Sequence, residues 1–373
     1  MNVSYFILFI LFSIFTLFVL QGDMYTINGV NDKKNVLRTV THSKSMPFIL
    51  TIITLFALLC ATRSMDSYDV QPYVNYLHII NSISLTEIDG RYGLGFETLT
   101  KILVLVIHDN YVLYFGIVAA INCVIVWRAL KKIENVGVYG FILYLGFLGF
   151  YYNFIVIRQA FAISFVLLAY SSLMKLEKKW IIFLLIAILF HESAVLALVI
   201  IFWGKYFRLS KYMLYILLGI SLLFYLTKIT DKFINPILGM IYGLLPVKQF
   251  YKYILYFDNV QYKHDISLLY LLYFVISFII IYVLNKWEDN ISKTIYLLET
   301  CNVIGLFLLG FFSSLPAISR AADYLSTCTY VFLIPIILKY LEKRGQIFVI
   351  IMLFLMIIFL YSRIILGVTN LFI

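Results

Sequence analysis

Residues 137–174 read GVYGFILYLGFLGFYYNFIVIRQAFAISFVLLAYSSLM, an apolar stretch whose only charged side chain is Arg158. A helix needs about 20 apolar residues to cross the hydrocarbon core of a bilayer. The stretch is too long for one crossing, so it predicts two helices that turn near Asn153–Gln159. Lipid offers no hydrogen-bond partner for backbone groups, and helices are therefore the structure that such runs predict.

Apolar runs of similar length recur along the chain, which has 373 residues, 63% of them hydrophobic and 13% charged. A soluble domain is about half apolar and a quarter charged. The predicted helices are 3–20, 46–62, 111–128, 137–156, 158–174, 211–228, 267–285, 294–313, 322–339 and 345–367. Two further apolar segments are atypical, since 93–107 is short and 180–203 is interrupted by His191. The predicted fold class is all-α: a single transmembrane domain over residues 1–373, a polytopic helical bundle of about 10–12 membrane segments that include re-entrant or half-membrane helices.

The net charge of +10 comes from Lys and Arg residues that fall mostly in short loops between apolar runs. This positive-inside pattern indicates orientation and not a nucleic-acid partner. Residues 21–45, 128–132 and 175–179 are predicted to be cytoplasmic. Residues 63–92 are predicted to lie outside, and 229–266 is predicted to be the largest extracytoplasmic loop. The four cysteines lie in or beside apolar runs without a CxxC pair, which predicts core packing and indicates no metal or other cofactor.

Three arginines are candidates for binding an anionic group on the outer side. A charged group at membrane depth costs about 2.5–3.5 kcal/mol on insertion scales, so a chain keeps one where it pairs or functions. Arg158, with Gln159, lies at the predicted turn, and guanidinium binds phosphate with two parallel hydrogen bonds. The alternative is an arginine that extends its charge to the membrane interface. Arg63 and Arg320 are each followed three residues later by an aspartate, for which a simple salt bridge is the alternative.

Three carboxylates and one histidine are candidates for proton transfer. Glu97 follows two glycines in a short apolar segment, where it is either a general base or a capping carboxylate. Asp66 and Asp69 share a face with Arg63 if this region is helical. His191 interrupts an apolar run, where it is either functional or a buried core residue. A second histidine at helical spacing is missing, so His191 predicts no zinc site.

Five motifs occur together and in order: Arg63-x-x-Asp66 with Asp69 and Tyr73; Gly95-Phe96-Glu97; Asn153-x-x-x-x-Arg158-Gln159-x-x-Ala162; Phe190-His191-x-Ser193-Ala194; and Ser319-Arg320-x-x-x-Tyr324. In this order, on a polytopic helical scaffold, they resemble the EpsG family of Wzy-type polysaccharide polymerases. The family often has a glycine close to its first aspartate. Here Ser64 and Met65 precede Asp66, so either Asp66 or Asp69 is the matching residue.

The resemblance implies a glycosyltransferase that uses undecaprenyl-diphosphate-linked oligosaccharide at the outer, periplasmic side of the bacterial plasma membrane. It would transfer a growing glycan to the terminal sugar hydroxyl of the next lipid-linked repeat, and it needs no cofactor. The implied partners are membrane lipid and the chain-length regulator and flippase of the same pathway. The implied site residues are catalytic Asp66, Asp69, Glu97 and His191, diphosphate-binding Arg158, Arg320 and Arg63, and substrate-binding Gln159, Tyr73 and Tyr324.

Two alternative functions use the same residue types. A ligase, such as an O-antigen ligase, would use the same cations and hand the glycan to a different acceptor. A transporter of lipid-linked glycan would have paired inverted repeats with broken helices at matching positions. The sequence has interrupted helices without a repeat, which favours a transferase.

Overall fold

In the computed structural model, the described residues are 42–63, 70–133, 136–207, 209–230, 268–286, 292–313 and 320–338, with isolated positions from 233 to 240 and from 340 to 351. Every regular element within these ranges is a helix. By length and composition, three of these helices can cross a membrane: Tyr111–Leu130, Ile157–Met174 and Lys293–Phe311. Shorter apolar helices accompany them. The chain is an all-α polytopic membrane protein, as the apolar runs predict.

The chain divides into two compact units after Val195. The helices of unit 1 are α1 (His42–Ala61), α2 (Val70–Ser82), α3 (Leu94–Ile107), α4 (Tyr111–Leu130), α5 (Gly137–Tyr144), α6 (Phe150–Phe154), α7 (Ile157–Met174) and α8 (Trp180–Phe190). A π-helical segment, Leu145–Gly149, joins α5 to α6. Short 3₁₀ turns occupy Leu85–Glu87 and Glu192–Ala194.

Helix α7 is at the centre of unit 1, packed against both α4 and α8. Nearly all of its side chains are buried, whereas α1, α3 and α8 expose leucines, isoleucines and valines. Exposed apolar side chains on a membrane helix suit contact with lipid. Lys101 of α3 is buried, and its Nζ donates to the carbonyl oxygens of Ile80 (2.9 Å) and Ile83 (2.5 Å) at the end of α2. This ammonium group therefore satisfies carbonyls that the end of a helix leaves without partners.

The helices of unit 2 are α9 (Val195–Tyr206), α10 (Lys211–Thr227), α11 (Leu268–Lys286), α12 (Lys293–Phe311) and α13 (Ser326–Leu338). Ser210 and Ser292 cap α10 and α12 by accepting hydrogen bonds from backbone N–H groups in the first turns. Helix α12 packs against α10, α11 and α13. At Gly310 the α12 backbone approaches α10 so closely that a Cβ atom would lie 2.5 Å from the carbonyl oxygen of Ser221. Small residues of this kind allow close packing of membrane helices.

The described helices agree with the predicted ones to within a few residues at most ends. The segment 93–107 is confirmed as a helix (α3), and the interruption of 180–203 at His191 is confirmed, because α8 ends at Phe190 and α9 begins at Val195. The helix predicted at 322–339 begins later, at Ser326, because residues 323–325 form a turn. The predicted helix 3–20, most of 345–367 and most of the loop 229–266 lie outside the described residues.

Candidate active site at a broken helix

The apolar stretch 137–174 is broken at Ile155 and Val156, within the predicted turn. Helix α6 ends at Phe154 and α7 begins at Ile157, and Val156 has φ −115° and ψ 64°, which is not helical. The π-helical segment lies one turn before the break, and such segments are frequent at functional sites. A break leaves carbonyl groups at the end of α6 and N–H groups at the start of α7 without helical partners.

Arg63 supplies hydrogen-bond donors to the carbonyl groups at the end of α6. It lies just beyond the end of α1, and its guanidinium donates to the carbonyl oxygens of Phe154 (2.7 Å), Asn153 (3.0 Å) and Cys60 (2.8 Å). The guanidinium carbon lies 3.9 Å from the centre of the Phe115 ring, and the residue is only 9% exposed. A cation at the C-terminal end of a helix is favourable, because the carbonyl groups there carry partial negative charge.

Arg158 lies in the first turn of α7, on the N–H side of the break. Its Nη1 donates to the carbonyl oxygen of Tyr92 at 3.2 Å, and its guanidinium carbon lies 5.5 Å from the Tyr92 ring. Its Nε is buried and has no hydrogen-bond partner among the described residues. No described carboxylate forms an ion pair with it. The partly exposed Arg158 thus retains donor groups for an anion.

Glu97 organises the loop that contacts Arg158. Its carboxylate accepts hydrogen bonds from the backbone N–H groups of Gly90 (2.8 Å) and Tyr92 (2.6 Å). Burial and the neighbouring Glu97 carboxylate raise the pKa of Tyr76, which keeps the tyrosine neutral. Glu97 is 1% exposed. Its two hydrogen bonds hold residues 90–92 and therefore the carbonyl group of Tyr92.

Two glycines bring this loop against the end of α8. Gly93 has φ +93°, and a Cβ atom there would lie 2.8 Å from the carbonyl oxygen of Phe190. At Gly95 a Cβ atom would lie 3.0 Å from the ring of Phe190. That ring in turn stacks on Phe161 of α7, with centroids 5.0 Å apart. The backbone at Tyr92–Gly93 consequently contacts both Arg158 and the residue that precedes His191.

His191 has an extended backbone between α8 and the 3₁₀ turn, and it is partly exposed. Its Nδ1 lies 2.6 Å from the hydroxyl of Ser193. This bond orients the imidazole, because Ser193 is held in the turn that follows. The Phe190-His191-x-Ser193 motif thus forms one structural group, with the aromatic ring buried and the imidazole at the end of unit 1 that contains Glu97 and Arg158.

Tyr73 connects the Glu97 motif with Arg63. Its ring packs edge-on against Phe96, with centroids 5.9 Å apart, and it is close enough to Arg63 to influence the pKa of that guanidinium. Gln159 follows Arg158 and is fully buried. Of the predicted site residues in unit 1, the structure therefore brings together Arg63, Tyr73, Glu97, Arg158, Gln159 and His191.

The remaining predicted site residues belong to unit 2 or fall outside the described residues. Arg320 and Tyr324 belong to unit 2, where Arg320 is partly exposed in a short helical segment and Tyr324 is fully buried. Asp66 and Asp69 fall outside the described residues. That they share a helical face with Arg63 stays a prediction; Arg63 itself lies just beyond α1, which ends at Ala61.

Sequence reasoning missed Tyr92, whose carbonyl oxygen and ring both contact Arg158. Its position directly before the Gly93–Glu97 segment was the available signal. It also missed Glu299 in unit 2, which is 0% exposed. The signal there was a carboxylate inside the apolar run 294–313.

A model of the EpsG family matches residues 46–372 of the chain. The match extends over both units and includes all five motifs that carry the candidate residues. Comparisons with curated proteins and with solved structures found no match.

Proposed function

Because the chain belongs to the EpsG family, whose members are Wzy-type polysaccharide polymerases, we propose that it extends glycans carried on undecaprenyl diphosphate at the outer face of the plasma membrane. Membership of this family implies a polymerase-type function. The lipid diphosphate carrier, the outer face and the residue roles that follow are parts of the proposal.

The proposed reaction is a direct displacement. The terminal sugar hydroxyl of a lipid-linked repeat attacks the anomeric carbon of the growing glycan. The bond between that carbon and the diphosphate oxygen breaks, and the electron pair leaves with undecaprenyl diphosphate. The proton of the hydroxyl passes to a base on the enzyme. The protein must therefore stabilise negative charge on a diphosphate and accept one proton.

The proposal rests on a difference between the two sides of the helix break. Arg63 donates to the carbonyl groups at the end of α6, while Arg158 retains donors at the start of α7. The N-terminal end of a helix carries partial positive charge and favours phosphate groups. Arg158 adds a guanidinium, which matches the oxygens of a phosphate. The start of α7 is thus suited to a diphosphate leaving group.

Arg63 and Arg320 complete the proposed set of diphosphate-binding residues. Three N–H groups of Arg63 are donated to backbone carbonyls, so we assign its part to electrostatic support and to fixing the break. Arg320 of unit 2 is included in the proposal because it belongs to the Ser319-Arg320-x-x-x-Tyr324 motif. Gln159, Tyr73 and Tyr324 are proposed to position the substrate.

The base is proposed to be Asp66, Asp69, Glu97 or His191. The Glu97 carboxylate already accepts two hydrogen bonds from backbone N–H groups, which favours a role in holding the loop. The hydrogen bond with Ser193 supports His191 as a group with a fixed orientation. Asp66 and Asp69 remain proposed because they belong to the motif that begins at Arg63.

The proposed function is tested by the glycan that accumulates on the lipid carrier when the gene is deleted in its host. We expect single repeats that are still made and exported, because the polymerase joins repeats after their assembly. Reintroducing the gene should restore long chains. The lengths of lipid-linked glycan are measured by gel electrophoresis and mass spectrometry.

The same measurement distinguishes the ligase. Long chains that accumulate on the lipid carrier after deletion would show that the protein transfers finished glycan to another acceptor. Retention of single repeats on the cytoplasmic side would indicate a transporter. Either result would overturn the proposed polymerase.

A further inference from the structure

Glu299 is a carboxyl group buried within a membrane-spanning helix of unit 2. It is 0% exposed and lies about 9 Å along α12 from Lys293, at 1.5 Å per residue. Ionisable residues at such positions are costly and are retained for function. The reaction proposed for the broken helix of unit 1 does not use Glu299.

The Glu299 carboxyl has little compensation for a negative charge. In the described part of the chain its one hydrogen-bond donor is Nδ2 of Asn302, which lies 3.3 Å from each carboxyl oxygen. No described lysine, arginine or histidine forms an ion pair with it. An isolated carboxylate in an apolar interior carries a large solvation cost, which neutralisation by a proton removes.

Asn302, beside Glu299, has a side-chain carbonyl oxygen that accepts no hydrogen bond from any described residue. Asn302 is fully buried, and its Oδ1 has no hydrogen-bond partner among the described residues. Its Nδ2 also donates to the hydroxyl of Ser277 (2.9 Å), which lies 2.7 Å from the hydroxyl of Tyr330. Tyr330 donates to the carbonyl oxygen of Tyr273 (2.9 Å). A polar network thus joins α11, α12 and α13 at the carboxyl group.

Among the described residues, no side chain of the helices packed against α12 forms an ion pair with this network. Helix α9 also contacts α12, at Gly204 and Leu297. The titratable side chains of α9, α10, α11 and α13 are tyrosines, Cys328 and the terminal lysines Lys205, Lys211 and Lys286, and α12 itself adds Lys293, Tyr296 and Cys301. The tyrosines that belong to the network, Tyr273 and Tyr330, are neutral hydrogen-bonding groups at pH 7. The terminal lysines lie where helices end, beyond the apolar segments.

We propose that Glu299 is a proton-binding site, at which the resting protein holds a neutral carboxylic acid inside unit 2. The proton gives the carboxyl group an O–H donor, and the network that joins α11, α12 and α13 contains an unused acceptor, Oδ1 of Asn302. Release of the proton would leave a negative charge with one amide donor. Opening of this part of unit 2 is therefore linked to proton release, independently of which substrate the protein uses.

The experiment measures thermal unfolding of the purified full-length protein in detergent from pH 6 to pH 9, for wild type and Glu299→Gln. The folded state keeps the proton and the unfolded state releases it, so stability is greatest at low pH and falls as pH rises. We expect the unfolding equilibrium constant of wild type to rise by up to tenfold per pH unit relative to Glu299→Gln. The exposed Glu192, changed to Gln, is the matched control and should keep the wild-type pH dependence.

A stability difference between wild type and Glu299→Gln that is constant over this pH range would overturn the proposal. So would a difference that follows sodium concentration, because the site would then bind a cation. If Glu299→Gln does not fold, dicyclohexylcarbodiimide, which adds to protonated buried carboxyls, provides the test on wild type. Mass spectrometry should find the adduct on Glu299 at pH 6 and less of it at pH 9. Absence of the adduct at pH 6 would overturn the proposal.

Discussion

Arg63 and Arg158 lie on the two sides of the helix break in unit 1 and differ in what their N–H groups contact. Arg63 is nine-tenths buried, and backbone carbonyl groups take three of its donors. Arg158 is partly exposed and donates to one described carbonyl oxygen, that of Tyr92. The first arginine is suited to holding the break, and the second is suited to meeting a ligand. An arginine side chain is thus suited to holding the helix break at position 63 and to binding a ligand at position 158.

Replacing Arg158 by lysine is expected to shorten the polymer sharply while the protein still accumulates. Lysine keeps the charge and loses the planar group that binds two oxygens at once. Loss of one such contact in a preorganised site costs about 10²–10³ in rate, or roughly 2.7–4 kcal/mol. The measurement is the length distribution of lipid-linked glycan at equal protein level.

Arg128 provides the matched control for this substitution. It is exposed in the last turn of α4, near the basic loops that follow α4 and α7, so Arg128→Lys should leave chain length unchanged. If Arg158→Lys gives wild-type chains at equal protein level, Arg158 is only an interfacial anchor. Recognition of the diphosphate would then pass to Arg63 or Arg320.

At the scale of single helices, the sequence predicts most of the fold. Apolar runs bounded by charged loops predict the helices, and polar residues within those runs predict both breaks, near Asn153–Gln159 and at His191. The chemistry at the breaks was not predictable in the same way. The hydrogen bond from Arg63 to the Asn153 carbonyl joins residues that are 90 positions apart in the sequence. Glu97 accepts hydrogen bonds from backbone N–H groups, and every residue type except proline can supply these, so no motif in the sequence identifies them. Both kinds of contact are determined by how the helices pack.

The junction between α3 and α8 depends on Gly93. Alanine there would adopt φ +93° and place its Cβ against the carbonyl oxygen of Phe190. Strain of this kind costs about 1–3 kcal/mol, and overpacking adds a similar amount. Gly93→Ala is therefore expected to lower the melting temperature of the purified protein and to shorten the polymer, since it displaces the Tyr92 carbonyl from Arg158.

Gly219 is the control glycine for that substitution. It lies within α10, and a Cβ atom there would meet nothing within 4 Å. Alanine favours a helix interior over glycine by roughly 1 kcal/mol, so Gly219→Ala should keep or slightly raise the melting temperature. Equal melting temperatures for Gly93→Ala and wild type would show that the junction adapts without strain.

At the scale of the whole molecule, the described part of each unit brings basic loops together at one end. In unit 1, Lys132 lies 3.7 Å from Glu177, so the basic loops after α4 and after α7 lie at the same end. Arg158 is at the opposite end of α7, about 24 Å away at 1.5 Å per residue. In unit 2, Tyr296 donates to the carbonyl oxygen of Leu209, which places the start of α12 beside the basic loop before α10. Basic loops favour the cytoplasmic side.

This arrangement predicts which single cysteines react with a membrane-impermeant maleimide in intact cells. The four native cysteines are buried, so wild type is the unlabelled control. A cysteine at the exposed Asp89, next to the loop that Glu97 holds, should be labelled, because the charge bias predicts that this end of unit 1 faces outward. Cysteines at the exposed Lys178 and Lys205 should be labelled only after the cells are permeabilised. The reverse pattern would place Arg158 on the cytoplasmic side, where an exported repeat could not reach it.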